Sequence, residues 1–357
     1  MQNKFLIFFI LVGIASISGQ TLTQTSDEFQ YLQTKLNLQN NPSGTSQIQF
    51  KSSLMSLRNF RGDDFSQKFL KDKRFYDGAI LSDGTTWRDN SDVSSTKLYS
   101  IFGVIALADA LGYLKLKEMW YKNETTKFHA IDFHADGLKY QLMDKYGHGL
   151  HAYFVSDLTT KAYRWAGVSG NESILYGSLT GWLWMLQIEV MDGFFADWGF
   201  SWGDLLANTA GAGFSALNQI YPDEFGGLQP KFSYHTSDAL KNHLYNNGAT
   251  NPVDDYEGLT FWLGVNPYHY LPSSIKEAVP VWLRPLGVAV GYSAEGIANS
   301  PQGGRREIFI GLDIDLRQIN VGESNFLKFL LTELNFVRLP LPAVRLTPTG
   351  IWYGLYF

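Results

Sequence analysis

Cysteine is missing from all 357 residues of the chain. Without it no disulfide can form and no lipid can be attached through an N-terminal cysteine, so the fold must depend on packing and polar pairing. The Walker loop and the G-x-G-x-x-G, H-E-x-x-H and C-x-x-C motifs are missing as well. These absences exclude a disulfide scaffold and give no support for a nucleotide partner.

Strong charge of either sign is also lacking. The 34 acidic and 29 basic residues leave a formal net charge of −5, with no lysine or arginine run. Nucleic-acid binding depends on clustered positive charge, so we expect no nucleic-acid partner. Aromatic residues, in contrast, are abundant at 15%, with 10 Trp and 19 Tyr. Such an excess fits a membrane interface or a large binding surface, and an aromatic-rich core is the alternative.

The first residues have the layout of an export signal. One lysine is followed by the apolar run 5–14, and small residues follow at Ser16, Ser18 and Gly19. This order predicts a cleavable signal peptide over residues 1–19, too short for a good membrane anchor. We therefore expect an exported protein of the periplasm or outer membrane that begins near Gln20.

The remaining pattern predicts an α+β protein in three parts. A segment poor in apolar residues, 20–96, is expected to be loose. A helical bundle follows over 97–221, and an antiparallel β region over 222–357. Four helices are predicted in the bundle, with bounds near Lys97–Trp120, Asp144–Ala166, Glu172–Met191 and Ser201–Tyr221. Small residues in the last of them, such as Gly211, permit close helix approach.

The β region alternates with a period of two. In REIFIGLDIDLRQI, aliphatic residues such as Ile310 and Leu312 alternate with Gly311, Asp313 and other residues, which predicts a strand with one apolar and one polar face. The end GIWYGLYF, with a terminal Phe357, resembles the closing strand of bacterial outer-membrane barrels. Five or six predicted strands fall short of the eight that a closed barrel generally needs. A sheet or partial barrel at the outer membrane and a soluble sheet packed on the helices both remain open.

Three polar pairs at helical spacing stand in apolar runs of the bundle. They are Asp144 with His148, Glu189 with Asp192, and Asp204 with Asn208. Offsets of three or four residues place both members of a pair on one helix face. Because buried ionisable groups are costly unless they are paired or bound to a ligand, we expect the pairs to form one polar site.

Three explanations of this site are open. The first is a hydrogen-bonded and ion-paired network, Lys145 included, that fixes the register of the helices. The second is a divalent metal site with His148, Glu189 and Asp192 as ligands, since carboxylates and imidazoles project into helical bundles to hold metals. The third is metal-free acid–base catalysis by the same three residues.

Ser201 is the centre of a G-x-S-x-G pattern in GFSWG. That pattern is the nucleophile elbow when a strand precedes the serine and a helix follows it. Ser201 with Asp204 three residues later is also typical of a helix N-terminus, where the serine caps the first turn. The helix start is the better explanation because no β-α repeats surround the motif.

Several strings resemble a known family. DKYGH at 144–148, EVMDG at 189–193 and WGFSWGDLLAN at 198–208 resemble the YfiM-like family of predicted periplasmic lipoproteins, whose function is unknown. Further strings over roughly residues 115–357 resemble a longer form of this family from Bacteroidetes-type bacteria. The resemblance implies an envelope location and gives prominence to residues of the polar site. They are Asp144, Lys145, His148, Glu189, Asp192, Ser201 and Asp204.

Together these features predict an exported envelope protein, an accessory or structural protein associated with the outer membrane or with envelope proteins. The alternative is an envelope hydrolase acting on lipid or cell-wall material, with His148, Glu189 and Asp192 at its centre. A closed, paired cluster favours the first function, and an accessible cleft with unpaired carboxylates favours the second.

Overall fold

The computed structural model describes residues 77–122, 125–245, 251–298, 300 and 302–357. The predicted signal peptide and residues 20–76 of the predicted loose segment lie outside these ranges. Within residues 77–94, Ile80 pairs with Thr86 and the side chain of Trp87 is fully buried against Ile174.

The helical part of these described ranges contains four long α-helices and one short one. They are α1 Ser95–Met119, α2 Phe133–Leu138, α3 Met143–Trp165, α4 Gly170–Asp192 and α5 Trp202–Ile220. Serine side chains cap three of the long helices, because Ser94, Ser169 and Ser201 each accept a hydrogen bond from the backbone three residues later. The four long helices agree with those that periodicity predicts, and their ends differ by about two residues from those expected.

Glycines allow α3, α4 and α5 to pack closely. A Cβ on Gly211 of α5 would lie 2.0 Å from the carbonyl oxygen of Gly149 on α3, and one on Gly177 of α4 would lie 2.0 Å from Thr160 Oγ1. Only glycine fits at such contacts between helices. The close approach predicted for α5 is confirmed at Gly211, whereas Gly213 faces open space.

Six antiparallel strands follow in the described part of the chain, in sequential order and with the sheet left open. They are β1 Leu228–Tyr234, β2 Leu259–Val265, β3 Leu286–Glu295, β4 Arg305–Ile314, β5 Leu341–Thr347 and β6 Ile351–Tyr356. Short helices lie before and between them: α6 Pro222–Phe225, α7 Asp238–Lys241, α8 Ser273–Lys276 and α9 Asn325–Leu334. The predicted α+β class, a helical region followed by an antiparallel sheet, is confirmed.

The buried face of this sheet is the polar one. Its middle row runs through Lys231, Trp262, Gly291, Phe309 and Arg345 on β1 to β5, and all five are buried. Lys231 forms a 2.7 Å ion pair with Asp313, which points to the same side of β4 as Phe309. We call this surface the polar face.

The opposite surface is the aliphatic face, whose middle row contains Leu263, Val290, Ile310, Val344 and Trp352 on β2 to β6. Val290 is 53% exposed, Ile310 48% and Trp352 67%. At one end of this face, Phe261 and Tyr292 stack against Tyr146 of α3, so the helices cover that end. The apolar side of the predicted β4 strand is therefore exposed, because charged pairs fill the buried side.

Candidate functional site: a polar cluster between α3, α4 and α5

The predicted polar pairs lie where α3, α4 and α5 begin or end together. The first turns of α3 carry Asp144, Lys145 and His148, the last turn of α4 carries Glu189 and Asp192, and the start of α5 carries the remaining residues. The short helix α2 adds Asp136. We call these residues the polar cluster: Asp136, Asp144, Lys145, His148, Glu189, Asp192, Ser201, Asp204 and Asn208.

Lys145 joins three carboxylates. Its Nζ lies 2.7 Å from Asp136 Oδ1, 3.0 Å from Asp204 Oδ1 and 3.4 Å from Asp144 Oδ2. Burial alone would lower the pKa of Lys145, but these carboxylates raise it above its ordinary value. Lys145 is therefore a permanent cation that ties α2 and α5 to α3.

His148 lies between two sets of carboxylates. Its Nδ1 is 3.1 Å from Glu189 Oε1, within ion-pair distance. Its Nε2 is 3.7 Å from Asp144 Oδ1. Burial opposes the charged imidazole, but Glu189, Asp144 and Asp204 outweigh it and raise the pKa of His148 to about 10. The predicted contact between His148 and Glu189 is thus present.

Glu189 and Ser201 connect α4 to the start of α5. Glu189 is fully buried, and its Oε2 accepts a 3.3 Å hydrogen bond from the backbone N–H of Ser201. Ser201 Oγ donates to Asp136 Oδ2 at 2.7 Å and accepts from the Asp204 N–H at 2.9 Å. Ser201 therefore caps α5, as the helix-start interpretation predicted. Phe200 before it forms only an isolated bridge with Ala130, so the strand of a nucleophile elbow does not precede the serine.

Asp192 lies one turn beyond Glu189, toward an aromatic part of the core. Tyr121 Oη donates to Asp192 Oδ1 at 2.5 Å, and Tyr121 itself stacks on Phe195. Burial raises the pKa of Asp192 to about 8, although the hydrogen bond from Tyr121 partly offsets this effect. Asp192 is therefore a proton-holding acid at the edge of the polar cluster.

Asp144 and Asp204 have unequal acidities. Burial and the nearby Asp144 carboxylate raise the pKa of Asp204 to about 7. Asp144, although buried, has its pKa lowered by His148, Lys145 and a 2.9 Å hydrogen bond from Tyr256 Oη. The pKa of Asp204 is thus higher than that of Asp144, and acid–base pairs use a separation of pKa values of this kind.

One side chain of the polar cluster, that of Asn208, lacks a hydrogen-bond partner among the described residues. Both amide atoms of Asn208 are buried without one. Asn208 lies one helical turn after Asp204 on α5 and is fully buried. Buried polar atoms are normally paired, so the unpaired amide of Asn208 requires an explanation.

The residues that the structure assembles as possible metal ligands are Asp144, His148 and Asp204. One ligand atom from each lies within 4.8 Å of the others. The predicted ligand set was His148, Glu189 and Asp192. Of these three, only His148 is among the assembled ligands. Glu189 contacts the other imidazole nitrogen, and Asp192 accepts a hydrogen bond from Tyr121.

Sequence reasoning missed Asp136, Tyr121 and Tyr256. Asp136 stands in FHADG at 133–137, six residues before DKYGH and within the stretch that carries the family resemblance. That position was the available signal. The two tyrosines come from loops 23 residues before and 112 residues after Asp144, so only the folded chain brings Tyr256 to it.

A cavity of about 640 Å³ lies elsewhere, against the C-terminal half of α3. Its walls include Lys97, Lys161, Arg164, Trp165 and Phe326. Lys161 is paired with Glu333 at 2.6 Å and Arg164 with Asp83 at 3.1 Å. No residue of the polar cluster lines this cavity.

Comparison with known proteins adds one similarity. No curated protein and no solved structure matches the chain. The helical part does match a family model, and the matched stretch contains α2 to α5 and every residue of the polar cluster. The description of that family agrees with the exported envelope location predicted from the leader. Residues 133–220 are thus similar to the family described as predicted periplasmic lipoprotein (DUF2279).

Proposed function

We propose that the protein is an accessory or structural protein of the bacterial envelope that associates with the outer membrane through the aliphatic face of its sheet. The narrower kinship, with the long Bacteroidetes-type form of the YfiM-like family, is part of the same proposal. Its partners are membrane lipid and envelope proteins.

The observation that carries the proposal is the inverted sheet. Exposed aliphatic residues follow one another across neighbouring strands at Leu263, Val290 and Ile310, while Lys231 and Asp313 are buried on the opposite face. Soluble sheets bury their apolar face, and contiguous exposed apolar surface marks a membrane or protein contact. Strands that contact lipid have the pattern seen here, apolar outward and polar inward.

Helix α1 supports the same proposal. Among the described residues it is the helix long and apolar enough to cross a membrane, and 28% of its most apolar 18 residues are buried. Val104, Leu107, Leu111 and Leu114 are exposed. An amphipathic or apolar helix of this kind gains free energy by placing such residues in lipid.

An envelope hydrolase centred on His148, Glu189 and Asp192 is the second candidate. The close pairing of His148 with Glu189, a possible acid–base pair, favours it. Against it, Glu189 is fully buried, Asp192 is bonded to Tyr121, and the 640 Å³ cavity is not at the polar cluster. An accessory function therefore agrees better with the geometry.

The absence of cysteine makes a direct test practical. Single cysteines replace Val290 and Ile310 in the full-length chain, and each is labelled with an environment-sensitive fluorophore. Ser274, exposed in α8, provides the matched control. On addition of phospholipid vesicles, the probes at 290 and 310 should shift to the blue and be quenched by nitroxide-labelled lipid, whereas the probe at 274 should not. Equal water exposure of all three probes would overturn the proposal.

A second measurement separates lipid contact from charge. The double variant Val290→Glu with Ile310→Glu adds two negative charges to the aliphatic face. Ser273→Glu with Ser274→Glu adds the same charge in α8, where both serines are exposed. With uncharged phosphatidylcholine vesicles, the first variant should lose flotation and the second should retain it.

A further inference from the structure

The polar cluster buries more negative than positive charge. Four carboxylates, from Asp136, Asp144, Asp204 and Glu189, lie around Lys145 and His148. Even with both of these residues protonated, two negative charges remain uncompensated if the carboxylates are ionised. Buried charge is costly unless it is neutralised by protons or by a bound cation.

The arrangement around His148 has the layout of a metal ligand with its orienting partner. Nδ1 faces Glu189, while Nε2 faces Asp144, with Asp204 nearby. In metal sites a carboxylate commonly holds one imidazole nitrogen and thereby directs the other at the ion. The side chains of His148 and Asp144 are 17% and 18% exposed, so neither is fully enclosed.

A second observation, independent of the acidic residues, is Asn208. Its side chain is fully buried on the face of α5 that carries Asp204, and neither amide atom has a hydrogen-bond partner among the described residues. An amide carbonyl is itself an oxygen ligand or accepts a hydrogen bond from a metal-bound water. A bound ion with its water therefore accounts for a polar side chain that is otherwise unexplained.

We propose that Asp144, His148 and Asp204 bind one divalent first-row transition-metal ion, with Glu189 orienting His148. An imidazole with two carboxylates favours Zn²⁺, Co²⁺ or Mn²⁺ over Ca²⁺, which prefers oxygen ligands alone. Metal bonds of about 2.0–2.2 Å hold ligand atoms roughly 3–4 Å apart. The three ligand atoms, now within 4.8 Å of one another, thus need only a small movement to close on an ion.

The proposal is tested on the purified full chain after treatment with a chelator. Calorimetric titration with Zn²⁺ and Co²⁺ should give one site per chain, and Ca²⁺ should give none. His148→Gln and Asp204→Asn should each weaken Zn²⁺ binding at least about tenfold, and Glu189→Gln about 10–100-fold, as for partners that orient ligands. His151→Gln, an exposed histidine on the same helix, should bind like the wild type.

Pulsed electron paramagnetic resonance with Cu²⁺ on the wild type provides a readout that needs no variant. It should detect the remote nitrogen of one coordinated imidazole. Failure of Zn²⁺ and Co²⁺ to bind the wild type, or binding that survives His148→Gln, overturns the proposal. If His148→Gln does not fold, the absence of a coupled imidazole nitrogen in the wild-type spectrum overturns it instead.

Discussion

The polar face of the sheet and the polar cluster both bury charged side chains, and they do so in different ways. On the polar face of the sheet, the buried carboxylates are matched by cations: Asp313 pairs with Lys231, Asp315 with Arg317 and Glu307 with Arg345. In the polar cluster, Lys145 alone serves three carboxylates, and Asn208 has no partner among the described residues. Buried charges that only stabilise a fold need to be matched by opposite charges. A buried excess of negative charge instead points to a bound proton or ion.

The comparison is tested most strongly by removing Lys231. Lys231→Met should leave Asp313 as an unpaired buried charge and lower the free energy of unfolding by about 3–5 kcal/mol. The double variant with Asp313→Leu should regain most of that loss, because no charge is then left alone. Urea unfolding followed by circular dichroism measures both. Equal losses in the single and double variants would show that the pair does not act as a unit.

The polar cluster should make stability depend on pH. The pKa of Asp192 is about 8 in the folded protein against an ordinary 3.8, so between these values the folded chain holds a proton that the unfolded chain has lost. Stability must then fall as pH rises, by at most about 1.4 kcal/mol per pH unit for one proton. His148, with its pKa raised from 6.5 to about 10, continues the same trend at higher pH.

Asp192→Asn replaces the carboxyl group by an amide that does not titrate, so this position no longer contributes to the pH dependence of stability. Its thermal midpoint should therefore change less than that of the wild type from about pH 5 to about pH 8, the interval set by the raised Asp192 pKa. Scanning calorimetry at several pH values measures the two slopes. Parallel slopes would mean that Asp192 is ionised in the folded protein.

The helix contacts that hold the polar cluster together are tested by two glycines on α5. Gly211→Ala places a Cβ 2.0 Å from the Gly149 carbonyl and should cost about 1–3 kcal/mol as overpacking does. Gly213→Ala meets open space and should instead stabilise the helix by up to about 1 kcal/mol. Opposite signs in urea unfolding support the close α3–α5 contact, and the same sign for both would contradict it.

The smallest expected effect is at the cap of α5. Ser201→Ala should cost about 0.5–2 kcal/mol, the usual value of a helix cap. Ser94→Ala, at the cap of α1, is the control because the Ser94 hydroxyl accepts from Lys97 without a carboxylate partner like Asp136. A loss at Ser201 no larger than at Ser94 would mean that its bond to Asp136 contributes nothing measurable.

Local pattern determined much of this protein. Periodicity and capping serines located the long helices and the antiparallel sheet, because both depend on residues close in the chain. The spacing of Asp144 with His148, and of Glu189 with Asp192, also determined which residues share a helix face. Burial and pairing of these polar groups could be predicted as well, because they stand in apolar runs where an unpaired charge is costly.

Tertiary structure decided which of these groups meet and which way the sheet faces. The α3–α5 contact at Gly149 and Gly211 brings Asp204 to Lys145, and the loop containing Tyr256 reaches Asp144 from 112 residues away. Alternation in β4 predicts two faces but cannot say which is buried, since that depends on cations such as Lys231 from another strand. Contacts between distant segments are set by packing of the whole chain, and no local period contains them.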